Sequence, residues 1–258
     1  MKRILITLFV FLPMLVSAHQ PRVVDVGTTT VDNPEISKAY YSKLTGEPAV
    51  YTISSDEPFD LYVSVLVPDI VNQKTDVSAV IIKNGDTKNP VTILDGMNFN
   101  WEKFHEPFGN DEYLMGPEYK EKAEAGNYEI RVWSSNNDSK YALAIGEREN
   151  FGFVETKNTL YLVPQIKKNF FEKSPIDFVL SPIGIGYLIV MILGTFLLSF
   201  IVRLLWRNWV KNPIFGEING RKRIYLILIS LALLLTAIAT TWTPLQIFFA
   251  GVILFLAF

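Results

Sequence analysis

Apolar and polar residues alternate with a period of two through the first half of the chain. In Phe59-Asp60-Leu61-Tyr62-Val63-Ser64-Val65-Leu66-Val67, the odd positions Phe59, Leu61, Val63, Val65 and Val67 share one side, and Asp60 and Ser64 lie on the other. That is the pattern of a strand with one face in a core. Tyr128, Ile130 and Val132 form the inward set of residues 128–133 in the same way. Further short β-rich runs cover residues 23–30, 49–54, 77–83, 91–94 and 141–145, each bounded by turn residues. About seven or eight strands within residues 19–149 predict an exported, mainly β domain of the β-sandwich class. The last two runs are separated by Ser135-Asn136-Asn137-Asp138-Ser139, a turn cluster that predicts a hairpin. Residues 97–124 keep no regular period and read as a long irregular excursion on the β scaffold, a common place for function.

From residue 183 the alternation stops. Residues 183–202 are twenty uncharged positions and residues 224–242 are nineteen, each close to the roughly 20 residues that cross a bilayer as a helix. Two transmembrane helices are predicted, over 179–206 and 224–242. Thr243-Pro244 then reads as a helix start, with a short third membrane helix over 244–258. The interiors of these spans hold no ionisable side chain, which disfavours a transporter or pump. Gly184, Gly186 and Gly194 thin the first span and invite close packing, against a partner helix or against the chain's own helices. Residues 150–178 form a juxtamembrane linker. It reads as a plain tether, the alternative being a stretch on the outer leaflet with Lys157, Lys167 and Lys168 snorkelling. Pro164 and Pro175 are expected to break any long helix there.

Charge changes the picture by giving it a direction. The 258 residues carry a net charge of only −2, but the charges are segregated. Residues 19–180 hold 16 basic and 25 acidic side chains, a net of −9, whereas residues 203–223 hold six basic and one acidic. The positive-inside rule places the 207–223 loop in the cytoplasm. Residues 1–18 combine Lys2-Arg3, an apolar run and Val16-Ser17-Ala18, which predicts a secretory signal peptide cut before His19. Both arguments put residues 19–178 outside, on a multi-pass protein of the cytoplasmic membrane whose first partner is the lipid bilayer. The helical tail offers a surface to another membrane protein, which allows the reading of an accessory subunit of a larger membrane complex. An acidic exported domain disfavours nucleic acid.

The chain has no cysteine, which removes disulfides, thiol nucleophiles and Cys-based zinc sites. It has no P-loop, dinucleotide fingerprint, nucleophile elbow or H-E-x-x-H, so no catalytic residue is assigned. Trp101, Phe104, Phe108 and Tyr113 are the candidates for a ligand face in the 97–124 excursion, with no cofactor implied. Glu102, Glu106, Asp111, Glu112 and Glu118 read as a solvated acidic loop in preference to a calcium site, for they lack EF-hand spacing. The alternative chemistry is copper. A mature chain beginning at His19 would offer its amine and ring nitrogen, with His105 as a third nitrogen, a set that suits Cu(II). Such a set is similar to the histidine brace of lytic polysaccharide monooxygenases.

One stretch resembles a known family. Ala125-Gly126-Asn127-Tyr128-Glu129-Ile130-Arg131-Val132, followed by Lys140-Tyr141-Ala142-Leu143-Ala144-Ile145-Gly146, looks like the closing hairpin of bacterial pre-peptidase C-terminal domains and related jelly-roll sandwiches. The resemblance covers about twenty residues and implies an accessory, non-catalytic module. The sequence therefore predicts a membrane-anchored β-sandwich that binds a ligand or partner and is not an enzyme, the alternatives being the copper protein and the complex subunit.

Overall fold

The computed structural model describes residues 19–25, 27–150, 152–209, 220–239 and 249–254. The predicted signal peptide, most of the basic loop and the helix start predicted at Thr243-Pro244 lie outside the described residues. The described strands are β1 (Gln20–Val23), β2 (Thr28–Thr30), β3 (Lys38–Lys43), β4 (Ala49–Ser55), β5 (Phe59–Pro68), β6 (Ser78–Lys83), β7 (Thr92–Leu94), β8 (Glu102–Glu106), β9 (Asp111–Ala123), β10 (Gly126–Trp133) and β11 (Lys140–Ile145). They form a six-stranded sheet in the order β1-β3-β11-β5-β9-β8 and a five-stranded sheet in the order β2-β4-β10-β6-β7. Only the β1–β3 and β2–β4 pairs are parallel.

The alternation read from β5 and β10 holds. Leu61, Val63, Val65 and Val67 meet Tyr51, Ile53, Ile81, Ile130 and Val132 between the sheets, all at 1% exposure or less. Burial of such side chains contributes about 1.5–3 kcal/mol each. Two of the tyrosine hydroxyls in this layer satisfy one another, Tyr51 Oη and Tyr141 Oη at 2.9 Å.

Three expectations are corrected. The run at 23–30 divides, since β1 joins the six-stranded sheet and β2 the five-stranded one. β10 and β11 are not a hairpin, for they pair in opposite sheets and the 134–139 connection crosses the core edge. Asp76 pins that connection, accepting from Ser139 Oγ at 3.0 Å and from Ser135 N at 3.2 Å. The 97–124 excursion is mostly strand, holding β8 and the thirteen-residue β9. Its alternation is broken by a bulge. Ser64 pairs with Glu118 and Leu66 with Met115, so Gly116 and Pro117 together oppose Val65. A bulge is where a strand tolerates proline. A Cβ on Gly116 would come within 2.5 Å of the Trp101 ring and 2.9 Å of the Val65 carbonyl oxygen, so glycine is what lets the indole lie there.

The 150–178 stretch, predicted to be a juxtamembrane tether, also departs from its reading. Residues Phe153–Asn169 form α1, with Pro164 inside it. Ile166, Phe170 and Phe171 pack with Tyr113 and Ala142 on the outer face of the six-stranded sheet, and Tyr41, Leu66 and Leu162 join them. Burying an apolar helix face on the sheet outweighs what the missing proline N–H costs. A short 3-10 helix, Pro175–Leu180, leads to α2, Pro182–Trp209. Ser181 Oγ accepts from Gly184 N at 3.1 Å with Pro182 next in line, the arrangement of an N-cap followed by proline. Gly184 lies so close to the Phe178 carbonyl that a Cβ would overlap it, whereas Cβ atoms on Gly186 and Gly194 would meet open space. α3 spans Gly220–Ala239, and Ser230 Oγ donates to the Ala250 carbonyl at 2.6 Å. Among the described residues, no helix is long and apolar enough to cross a membrane; the described side chains of α2 stop at Leu197.

Candidate functional site

Strand β11 sets up the site. Its inward residues Tyr141, Leu143 and Ile145 fill the core, while Ala142 and Ala144 face outward with almost no side chain and are nonetheless 1% exposed. Ala39 on the neighbouring β3 is equally small, and Ala39 pairs with Ala144. Three alanines side by side make a shallow hollow in the sheet. Helix α1 roofs it with Thr159, Val163 and Ile166, which leaves a cavity of about 70 Å³. Leu66 and Tyr41 line the floor, and Phe104, Glu106, Phe108 and Tyr113 line the side toward β8 and β9.

Polar groups at the rim are tightly organised. Lys167 is 0% exposed and donates to Asp111 Oδ1 at 2.9 Å, to Asp111 Oδ2 at 3.0 Å and to the Gly109 carbonyl at 2.6 Å. Lys173 adds a contact to Asp111 Oδ1 at 3.1 Å. A buried ammonium is tolerable only when paired and hydrogen-bonded in this way. Glu106 accepts from Phe108 N at 2.8 Å and Gly109 N at 2.6 Å. Burial pushes its carboxyl above the usual range and Asp111 adds to this, while those two N–H groups and Lys167 oppose it. The Tyr41 and Tyr113 hydroxyls share a hydrogen bond at 2.7 Å, and burial raises both. Thr159, 2% exposed, has no hydrogen-bond partner for its hydroxyl among the described residues.

Of the four aromatic candidates, Phe104, Phe108 and Tyr113 come together on this cavity. Trp101 does not. Its ring packs against the core between the sheets, and its Nε1 donates to the Gly96 carbonyl at 2.8 Å. The two histidines are also separated. His19 lines the cavity, with Nδ1 2.5 Å from Ser37 Oγ. Neighbouring protein atoms desolvate its ring and lower its pKa from the usual value, against the raising charges of Glu149 and Glu147, although the residue as a whole is exposed. His105 lies on β8 between Phe104 and Glu106, which face the cavity, so the pleat turns it to the opposite side. There Nδ1 sits 2.7 Å from Glu112 Oε1. Among the described residues, no three His, Cys, Asp or Glu side chains are arranged to hold a metal ion. The acidic loop divides as well: Glu102, Glu112 and Glu118 are exposed, but Asp111 is buried with its two lysines.

Sequence reasoning does not single out Lys167 and Thr159 as site residues, and it reads Asp111 only as part of a solvated acidic loop. The signal for Lys167 was its place in the helical set Val163, Ile166 and Phe170, where a lysine interrupts an apolar face. The site also reaches the next helix, for the Phe108 carbonyl lies 3.5 Å from Ile183 N at the start of α2.

No family model matches the chain, and no curated protein matches it. Solved structures do. The pre-peptidase C-terminal domain of a collagenase from Bacillus anthracis aligns with 50% of this chain and 95% of its own, at 14% identity and a TM-score of 0.28. CorA, a surface-associated copper-binding protein of Methylomicrobium album, aligns with 48% of this chain and all of its own, at 8% identity and a TM-score of 0.26. A mitogen from Yersinia pseudotuberculosis covers 46% of this chain and 92% of its own, at 15% identity and a TM-score of 0.27. The resemblance to the pre-peptidase C-terminal domain is thus weak.

Proposed function

We propose that this chain is a membrane-anchored binding protein whose extracytoplasmic β-sandwich holds a ligand in the cavity beneath α1. The observation that carries this reading is the cavity itself, mostly apolar, with a few convergent polar groups, which is the usual make-up of a small-molecule site.

The anchoring is supported by sequence and exposure together. Residues 183–202 are twenty uncharged positions in the sequence, close to the roughly 20 residues that cross a bilayer as a helix. Ile189, Val190 and Leu197 on α2 and Leu228, Leu231 and Leu235 on α3 are all about half exposed. Aliphatic surface of this extent is stable against lipid and costly against water. Residues 19–178 are then extracytoplasmic, the 207–223 loop is cytoplasmic, and the linker docks on the sandwich.

The test has two parts. A reporter inserted in the 207–223 loop is expected inside the cell, and finding it outside overturns the topology. Filling the cavity by Ala144→Leu is expected to abolish whatever small-molecule binding the intact protein shows; binding unchanged by that variant overturns the assignment of the site.

A further inference from the structure

Helix α1 is both the roof of the cavity and the element that packs against the start of α2, and it is attached to the two in different ways. We propose that α1, the 3-10 helix and the first turn of α2 form one strap, which docks on the sandwich and releases from it as a unit. Release opens the alanine hollow and shifts the entry of α2 in the same movement. This goes beyond ligand binding and holds whatever the cavity takes.

The unity of the strap comes from its packing. Val163 of α1 is buried with Phe178 of the 3-10 helix and Tyr187 of α2 in one apolar cluster, with Leu160 and Ile183 packed against it. The turns between these elements are fastened too. Lys173 N donates to the Lys167 carbonyl at 2.9 Å, and Ser181 N donates to the Phe178 carbonyl at 3.1 Å. A Cβ on Gly184 would lie 1.7 Å from that same Phe178 carbonyl oxygen, so backbone meets backbone where the 3-10 helix touches α2. Elements packed this closely shift as bodies and do not deform smoothly.

The attachment to the sandwich is of another kind. Beneath the middle of α1 the sheet offers three alanine methyl groups and a gap of about 70 Å³. Beside the contact of Ile166, Phe170 and Phe171 with the sheet, the fastenings are ionic. Lys167 and Lys173 hold Asp111, Arg22 holds Glu155 and Lys140 holds Glu172. Partners that part together regain their water, so a buried pair adds little to docking even though deleting one partner alone is costly. Thr159 acts in the same direction. Its hydroxyl, closed off under the roof, has no hydrogen-bond partner among the described residues, and release solvates it. The first turn of α2 also rests on the sandwich, Ile183 N lying 3.5 Å from the Phe108 carbonyl. A docked state that holds a gap, buried ions and an unsatisfied hydroxyl belongs to the low end of local stability, where lids and moving elements are found.

The experiment is native-state hydrogen exchange on the full chain in mild detergent, read by mass spectrometry at rising urea below the unfolding transition. Residues 153–169 and 175–185 are expected to open with one common free energy and one common dependence on urea, exchanging at least about tenfold faster than β5 and β10. Ala144→Leu, which drives a side chain into the gap, is expected to speed both segments by the same factor. Gly184→Ala, which forces the 3-10 helix and α2 apart, is expected to speed 175–185 and leave 153–169 as in the parent. Residues 153–169 opening only together with β5 and β10 overturns the strap. Residues 175–185 keeping their protection while 153–169 opens overturns the unit, as do unequal factors in Ala144→Leu or an unchanged shared opening in Gly184→Ala. The decisive comparison is made on the parent chain, so it stands if either variant fails to fold.

Discussion

Strands β10 and β11 follow one another in the chain, yet one presents Glu129 and Arg131 to the surroundings and the other presents Ala142 and Ala144 to helix α1. The outer face of the five-stranded sheet is solvated, and its polar positions alternate strictly with core positions. The outer face of the six-stranded sheet is covered, and β11 is buried at both parities from Tyr141 to Ile145. Sheets buried on one side alternate, and sheets buried on both do not. The contrast teaches where selection for function has room. A face open to water needs only polarity, whereas a face under a helix must match shape, and the three alanines under α1 leave a gap there.

Disturbing the covered face should cost far more than disturbing the open one. The largest expected effect is from Lys167→Met, which strands the Asp111 carboxylate with only half-buried Lys173. Breaking a buried pair costs about 3–5 kcal/mol, so a large fall in the melting temperature and release of α1 to proteolysis are expected. The double variant with Asp111→Asn should recover part of the loss, and additivity of the two losses would refute the pairing. Next is Phe170→Ala, which empties the space between Tyr41 and Phe171 and is expected to cost about 3 kcal/mol by denaturant titration. A smaller effect belongs to His19. Its folded-state pKa lies below the ordinary value, so as pH falls through about 6.5 the unfolded chain takes up the proton first and stability is lost toward acid. The melting temperature of the parent should therefore drop more between about pH 7.5 and about pH 5.5 than that of His19→Gln; equal drops would refute the lowered pKa. The smallest effect is on the open face, where Arg131→Ala should change stability by no more than about 0.5 kcal/mol. A value above 2 kcal/mol, roughly that of the covered face, would break the comparison.

How far this could be read from residues depends on the kind of signal. β5 and β10 were legible because each has one wet face, which writes a period of two. β3 was not, for Lys38 and Lys43 at its ends disguise Tyr40 and Tyr41, which face opposite sides. β9 was hidden by Gly116-Pro117 and by its exposed far half, where Glu118, Lys120 and Lys122 look like loop. The supposed hairpin failed because a short polar connection fits two neighbouring strands equally well whether they share a sheet or face one another across a core. In the site, Phe104, Phe108 and Tyr113 were found by their clustering in sequence. Trp101 clustered with them and went the other way, since only three-dimensional space under Gly116 decides its side. Ala142 and Ala144 carried the missing clue. Apolar residues at both parities of a strand mean that something covers it, and the set Val163, Ile166 and Phe170 of the following segment was a face free to do so.

The meeting of α1 with β1 also sets an order of events in biosynthesis. Arg22 of β1 reaches Glu155 of α1 at 3.0 Å, so the first strand of the domain is sealed by a helix made after every described strand. Until that helix emerges, the hollow of β3 and β11 is an open greasy surface on a nascent chain, the kind of species that aggregates or recruits chaperones. Contacts so far apart in sequence also close slowly. A ribosome-stalled chain exposed through residue 150 should bind an apolar dye and one exposed through residue 173 should not, which would make α1 the final step in maturing the strand farthest from it in sequence.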